Sequence, residues 1–221
     1  TDGPLEQPAL LQLTPQLAPV EGIEGYNVAL QIKEGRGWKT LRDSKIDPLG
    51  RSAHFRVEKW RHAKNISYRI RLQLPLKSGR KEFFYEGVIA SEPLDAQQVK
   101  MAVFSCNGDH GFPDADVPLH VGKHKPDLAV FLGDQFYEST GGFSIQTSPL
   151  EKSSLDYLRK WLMFGWSYRD IFRNIPSACI PDDHDVYHGN VWGEGGKHAP
   201  SDEGWSYPAQ DQGGYKMPPE W

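Results

Sequence analysis

The chain has 221 residues, 38% of them hydrophobic and seven of them Trp, which is enough apolar material for one large core or two ordinary ones. Its net charge of −4 is unevenly shared, +3 over residues 1–97 and −7 over residues 98–221. An acidic second part argues against nucleic-acid binding as the main role, because phosphate backbones require a basic face. No apolar run of 18 residues and no leader pattern occur, so no membrane span or signal peptide is expected within these residues, and a leader already removed would leave the same blank.

Residues 1–20 contain four Pro and little periodicity, which predicts a partly disordered lead-in. From Tyr26 the pattern becomes alternation. Residues 26–32, 38–41, 53–60, 66–74 and 82–89 each place apolar side chains two apart with polar ones between, the pattern of half-buried antiparallel strands. Turn residues at 34–37, 47–50 and 77–79 separate them. At least five such strands without an amphipathic helix predict a small β-sandwich, similar to a fibronectin type III or immunoglobulin-like module. A Pro-containing linker at 91–95 then divides the chain into a sandwich domain at 1–95 and a second domain at 96–221.

The second domain alternates strand and helix. Apolar runs at 99–106, 127–132 and 177–181 read as strands. Between them lie a short helix over 115–125 and a longer one from Ser153 or Ser154 to Asn174. In the longer one Leu158, Trp161, Leu162, Tyr168, Ile171 and Phe172 recur at helical spacing, and Ser153 with Asp156 forms a capping-box arrangement. The βαβαβ order predicts a parallel sheet and an α/β class for this part. Residues past Asn190 are rich in Gly, Pro and Trp and predict no element.

Each of the three apolar runs stops at a polar cluster: Ser105-Cys106-Asn107, then Gly133-Asp134-Gln135-Phe136-Tyr137, then Asp182-Asp183-His184-Asp185 with His188 and Asn190 behind. Parallel strands bring such clusters to one sheet edge, where open α/β sheets hold ligands. Asp134 after Gly133 is either a turn residue satisfying nearby amides or a carboxylate that bridges two cations. Three carboxylates among residues 182–185 repel one another and need cations or hydrogen-bond donors close by; with His184 they suit hard or borderline metals, which makes Asp183 and its neighbours candidate ligands. A solvated acidic loop has the same composition. Cys106 and Cys179 are by default buried core thiols. As ligands, a Cys106 thiolate selects a softer metal than calcium, and a Tyr137 phenolate favours ferric iron.

Ser105-Cys106-Asn107, Gly133-Asp134-Gln135-Phe136-Tyr137-Glu138 and Asp182-Asp183-His184-Asp185-Val186, in this order after a β-sandwich, resemble the PhoD-like (alkaline phosphatase D) family of metallophosphoesterases. The resemblance implies the first part of an α-β-β-α sandwich. It implies Cys106, Asp134 and Tyr137 as metal ligands with Asp134 bridging, and Asn190 as a further ligand with His188 competing for that place. It also puts His184 near the scissile phosphate, and implies iron together with calcium as cofactors and export from the cytoplasm. Three departures stand out. Asn107 replaces the family's usual Gln, Pro181 replaces an aromatic residue, and no late His-x-His or comparable cluster follows Asn190. The chain therefore reads as C-terminally incomplete, with the missing part of the same protein as its partner and the fragment inactive or weakly active alone.

The expected activity is hydrolysis of phosphate mono- or diesters by a metal-bridging hydroxide, with His184 assisting the leaving oxygen. Two alternatives stand beside it. One is a calcium-stabilised binding or adhesion module without catalysis. The other is a hydrolase using Asp183 and Asp185 as acid and base, which leaves Cys106 and Tyr137 without a role.

Overall fold

The alternating stretches between residues 26 and 89 form hydrogen-bonded strands in the computed structural model, where pairing satisfies their backbone groups. The structure describes residues 9–18, 26–60, 63–92, 96–108, 112–137, 146 and 149–186, without the side chains of Asp183 and Val186. Two compact units are formed, one from residues 1–97 with 173–175 and one from the remainder.

The first unit contains β1 (Ala9–Leu13), β2 (Asn27–Glu34), β3 (Gly37–Lys45), β4 (Phe55–Trp60), β5 (Ile66–Leu76) and β6 (Gly79–Ile89). All pairings are antiparallel, in a four-stranded sheet β3-β2-β5-β6 and a two-stranded sheet β1-β4. Leu30 lies opposite Ile70 and Ile32 opposite Tyr68, so one face of the larger sheet is continuously apolar. Val28, Leu30, Ile32, Tyr68 and Ile70 form a core with Phe55 of β4, and Leu11 and Leu13 of β1 pack against it. Both sheets thus share one core. Asp47 closes the turn after β3 by accepting the N–H groups of Leu49 and Gly50 at 2.9 and 2.6 Å, an Asx turn.

β1 corrects the expectation of a disordered lead-in. Five residues among prolines are too short for periodicity to register, but pairing with β4 from Leu13↔Phe55 to Ala9↔Trp60 satisfies the backbone and buries alternate Leu side chains.

The second unit contains β7 (Met101–Phe104), α1 (Asp116–Lys123), β8 (Leu128–Phe131), α2 (Leu150–Ser167), α3 (Arg169–Phe172), β9 (Ser177–Cys179) and α4 (Asp183–Val186). The strands form a parallel sheet in the order β7-β8-β9, with Phe104, Phe131 and Cys179 level at its C-terminal edge. On one face the Phe104 and Phe131 rings stack at 4.5 Å, and Phe131 meets Phe164, Tyr168 and Phe172 at 5.2, 5.2 and 4.9 Å. Such pairs add about 1 kcal/mol each beyond burial. On the other face Met101, Val103, Leu132 and Ile180 are exposed.

α2 starts earlier than its sequence pattern predicts. Pro149 occupies the position before it, its ring holding φ at −64°. The Ser153–Asp156 capping box does not form: Ser153 Oγ donates back to the Leu150 carbonyl at 3.0 Å, and Asp156 pairs with Arg159 at 3.0 Å. Nor is there one helix to Asn174. Tyr168 leaves helical geometry at φ −97°, ψ 15°, its ring buried among Phe104, Phe131 and Phe164, and α3 follows as a separate short turn.

Candidate metal centre

Level strand ends give the three loops a common origin, and backbone bonds then knit them. Cys106 N–H donates to the Gly133 carbonyl at 3.1 Å and Asn107 N–H to the Asp134 carbonyl at 2.8 Å. Two non-glycine residues in these loops, Cys106 at φ 53° and Asp134 at φ 51°, occupy the left-handed region, each at a cost of about 1–3 kcal/mol that the surrounding bonds must hold. Gly133 precedes Asp134 at φ +108°. A Cβ there would collide with Asp182 Cβ and come within 3.0 Å of Asp182 N, so glycine is what lets the loop after β9 close on the loop after β8.

Asp134 is 9% exposed. Its Oδ2 accepts the Tyr137 hydroxyl at 3.1 Å, whereas its Oδ1 is buried and has no hydrogen-bond partner among the described residues. Tyr137 also interacts with Cys106. Burial first, then the Asp134 carboxylate, then Cys106 hold the phenol above its ordinary range, so it keeps its proton. Three donors of the predicted ligand set, Asp134, Cys106 and Tyr137, therefore converge. Among the described residues no group of three His, Cys, Asp or Glu side chains suited to a metal occurs; Tyr137 lies beside Asp134 and Cys106. A buried carboxylate oxygen without a donor among the described residues is costly to keep, and a cation fits it.

The thiols are not core residues as their composition predicts. Cys106 and Cys179 are both exposed, because Cys106 lies past the end of β7 and β9 has only exposed residues. Cys106 Sγ is 3.4 Å from Ser105 Oγ.

His184 is half-buried, with its ring 4.5 Å from that of Tyr137, and its backbone carbonyl accepts the Tyr157 hydroxyl at 3.3 Å. The side chain of Asp183 and the whole of His188 and Asn190 lie outside the described residues, and the choice between His188 and Asn190 with them. Asp185 has a different role from the one its cluster implies. Its Oδ1 accepts Gln135 N–H at 2.7 Å and its Oδ2 accepts Asp182 N–H at 2.9 Å, with the Asp134 amide also favouring its charged form. Burial nevertheless outweighs these donors and raises its pKa. Backbone donors offset part of the charge repulsion here, and Asp185 braces two loops.

Several contributors leave no local trace. Lys160, 2% exposed, donates to the Tyr137 carbonyl at 3.1 Å. Gln135 is fully buried and donates through Nε2 to the Ile180 carbonyl at 3.0 Å. Tyr168 donates to Asn107 Oδ1 at 2.9 Å, and Asn107 Nδ2 is buried without a partner among the described residues. Only the Asp182-to-Asp185 spacing carried a readable signal: it is that of a capping box, in which the third helical residue bonds back to the N-cap amide.

No protein-family model and no curated protein matches the chain. Among solved structures it is similar to the purple acid phosphatase PPD1 from yellow lupin (Lupinus luteus) seeds, with a TM-score of 0.49 and 10% sequence identity, covering 78% of this chain and 32% of that one. The chain thus spans about a third of the length of that phosphatase.

Proposed function

We propose that the chain carries part of a metal-dependent phosphoesterase centre of the PhoD-like kind, hydrolysing phosphate mono- or diesters. The observation that carries this reading is Asp134: a buried carboxylate, projected by left-handed backbone, with Oδ1 unpartnered among the described residues and Cys106 and Tyr137 beside it. Asp134 Oδ1, Cys106 Sγ and Tyr137 Oη would hold the metal, with Asp183 and Asn190 or His188 as further ligands. Sulfur and phenol donors favour iron for one cation, and carboxylate oxygen suits calcium for another. Bound cations supply positive charge for the phosphoryl oxygens and acidify water.

The chain's own residues do the rest. Tyr137, which donates its hydroxyl to Asp134, would release that proton to solvent to serve as a phenolate ligand. Its ring supports His184 at 4.5 Å, and His184 holds a proton for the leaving oxygen. Asp185 and Lys160 hold the loop rigid, which keeps these groups in register with a substrate. In the same reading the first unit is a fibronectin- or immunoglobulin-like sandwich, and the protein works outside the cytoplasm. Further polypeptide of the same protein covers the exposed face around Met101 and Val103, since parallel sheets are ordinarily covered on both faces.

Elemental analysis after loading with iron and calcium, with release of nitrophenol from mono- and diesters by the full-length protein, tests the proposal. Iron uptake with metal-dependent release supports it. Uptake of calcium alone without turnover would leave the binding-module alternative standing and sink this one.

A further inference from the structure

Two buried side-chain atoms at this sheet edge are without partners among the described residues, and they are opposite in kind. Asp134 Oδ1 is an acceptor and Asn107 Nδ2 is a donor. Their residues are neighbours, since Asn107 N–H bonds the Asp134 carbonyl at 2.8 Å, yet the two atoms do not satisfy each other. A buried amide left without an acceptor costs about 1–3 kcal/mol, and one bound species removes both deficits: a cation on Asp134 that carries an oxyanion reaching Asn107.

The orientation of the Asn107 amide follows from Tyr168. The Tyr168 hydroxyl lies 2.9 Å from Asn107 Oδ1, and burial first, then Asp114, pushes its pKa up to about 12, so it remains a donor. Turning the amide over would set Nδ2 against the hydroxyl and leave the phenol proton without an acceptor. Oδ1 therefore faces Tyr168 and Nδ2 faces away from it. Tyr168 is itself held by the Phe104, Phe131 and Phe164 rings at 5.2–5.3 Å, at the break between α2 and α3.

Resting on the metal-hydrolase reading above, we infer that Asn107 is a substrate-binding residue whose Nδ2 donates to a phosphoryl oxygen of the ester held beside Asp134, with Tyr168 as its positioning residue. Asn107 is neutral and does not ligate the metal. A neutral donor strengthens binding as charge builds on the phosphoryl oxygens without competing for the cation.

The test uses the metal-loaded full-length protein and inorganic phosphate, with binding followed by calorimetry, metal content by elemental analysis and folding by circular dichroism. For Asn107→Ala, phosphate affinity falls about 10- to 100-fold, the range for a hydrogen bond to a charged group, while metal content stays at the wild-type level. Tyr168→Phe moves the same way by about three- to tenfold, and Asn107→Gln restores part of the loss. Phosphate also shifts the Asn107 side-chain amide resonances in nitrogen–proton spectra, a response that a merely structural role would not give. Unchanged phosphate affinity in Asn107→Ala, or loss of metal from it, overturns the inference. If that variant does not fold, Tyr168→Phe decides: wild-type phosphate affinity there overturns it. A wild-type full-length protein that takes up no metal overturns the hydrolase reading itself, and this inference with it.

Discussion

Asp185 Oδ1 accepts the backbone N–H of Gln135 at 2.7 Å, joining residues fifty positions apart. The same carboxylate takes the Asp182 amide through Oδ2, so one side chain sets the spacing between the loops after β8 and β9. Asp185→Ala leaves the buried Gln135 amide and the partly buried Asp182 amide without this acceptor. Chemical denaturation should show a loss of about 3 kcal/mol, from about 1–3 kcal/mol per buried group left unsatisfied. Asp185→Asn keeps one acceptor and should lose about half as much. A wild-type denaturation midpoint in Asp185→Ala would remove the brace from this account.

Gly133→Ala should be among the most disruptive single-methyl changes in the second unit. The position combines φ +108° with a Cβ site already filled by Asp182. Left-handed strain and overpacking together predict a loss of about 2–4 kcal/mol, with metal uptake falling as the Asp134 loop shifts. Urea denaturation and elemental analysis measure the two effects separately, and an alanine variant as stable as wild type would contradict the close approach.

Tyr137→Phe and Cys106→Ala distinguish an iron-containing centre from a calcium-binding loop. Tyr137 donates to the Asp134 carboxylate, and Cys106 interacts with Tyr137. Under the proposed function each substitution lowers iron content at least tenfold at equal metal supply, because one strong donor disappears from the set. Unchanged metal content in both variants would assign the site to calcium held by carboxylates.

Tyr68 makes the first unit sensitive to alkali. Burial foremost, with Tyr85 adding to it, pushes its pKa up to about 12, against about 10 in an unfolded chain. The folded state therefore keeps a proton that the unfolded state loses. Its contribution to stability is complete below about pH 10 and falls as pH rises through about 12, by roughly 1.4 kcal/mol per pH unit between them. Tyr68→Phe should flatten that slope. Denaturation at about pH 8 and about pH 11 measures it, and equal slopes in the two proteins would refute the assignment.

Much of this architecture was legible in order. Alternation at residues 26–32, 66–74 and 82–89 announced β2, β5 and β6 because a strand sends successive side chains to opposite faces whatever its partner; how deeply each is buried depended on the packing, for β2 has five consecutive buried residues and most of β6 is exposed. The three apolar runs announced β7, β8 and β9 for a similar reason. β1 was not legible, because a five-residue strand depends on β4 for its hydrogen bonds. The end of α2 was not legible either: Leu158 to Phe172 continues the helical spacing, and only the place of the Tyr168 ring in the aromatic cluster marks the break.

At the candidate site, residue types made Asp134 and His184 candidates, while Cys106 and Tyr137, core residues by default, became candidates through their places at the strand ends and the family resemblance. What each atom is free to do was decided by the tertiary structure. Asp185 has the same carboxylate as Asp134, yet one is consumed by the amides of Gln135 and Asp182 and the other keeps an oxygen open among the described residues. Asn107 acquires a fixed direction from a tyrosine 61 residues away. Chemical potential belongs to the side chain and is written in the sequence. Its availability depends on which donors and acceptors folding brings within about 3 Å, and those come from distant parts of the chain.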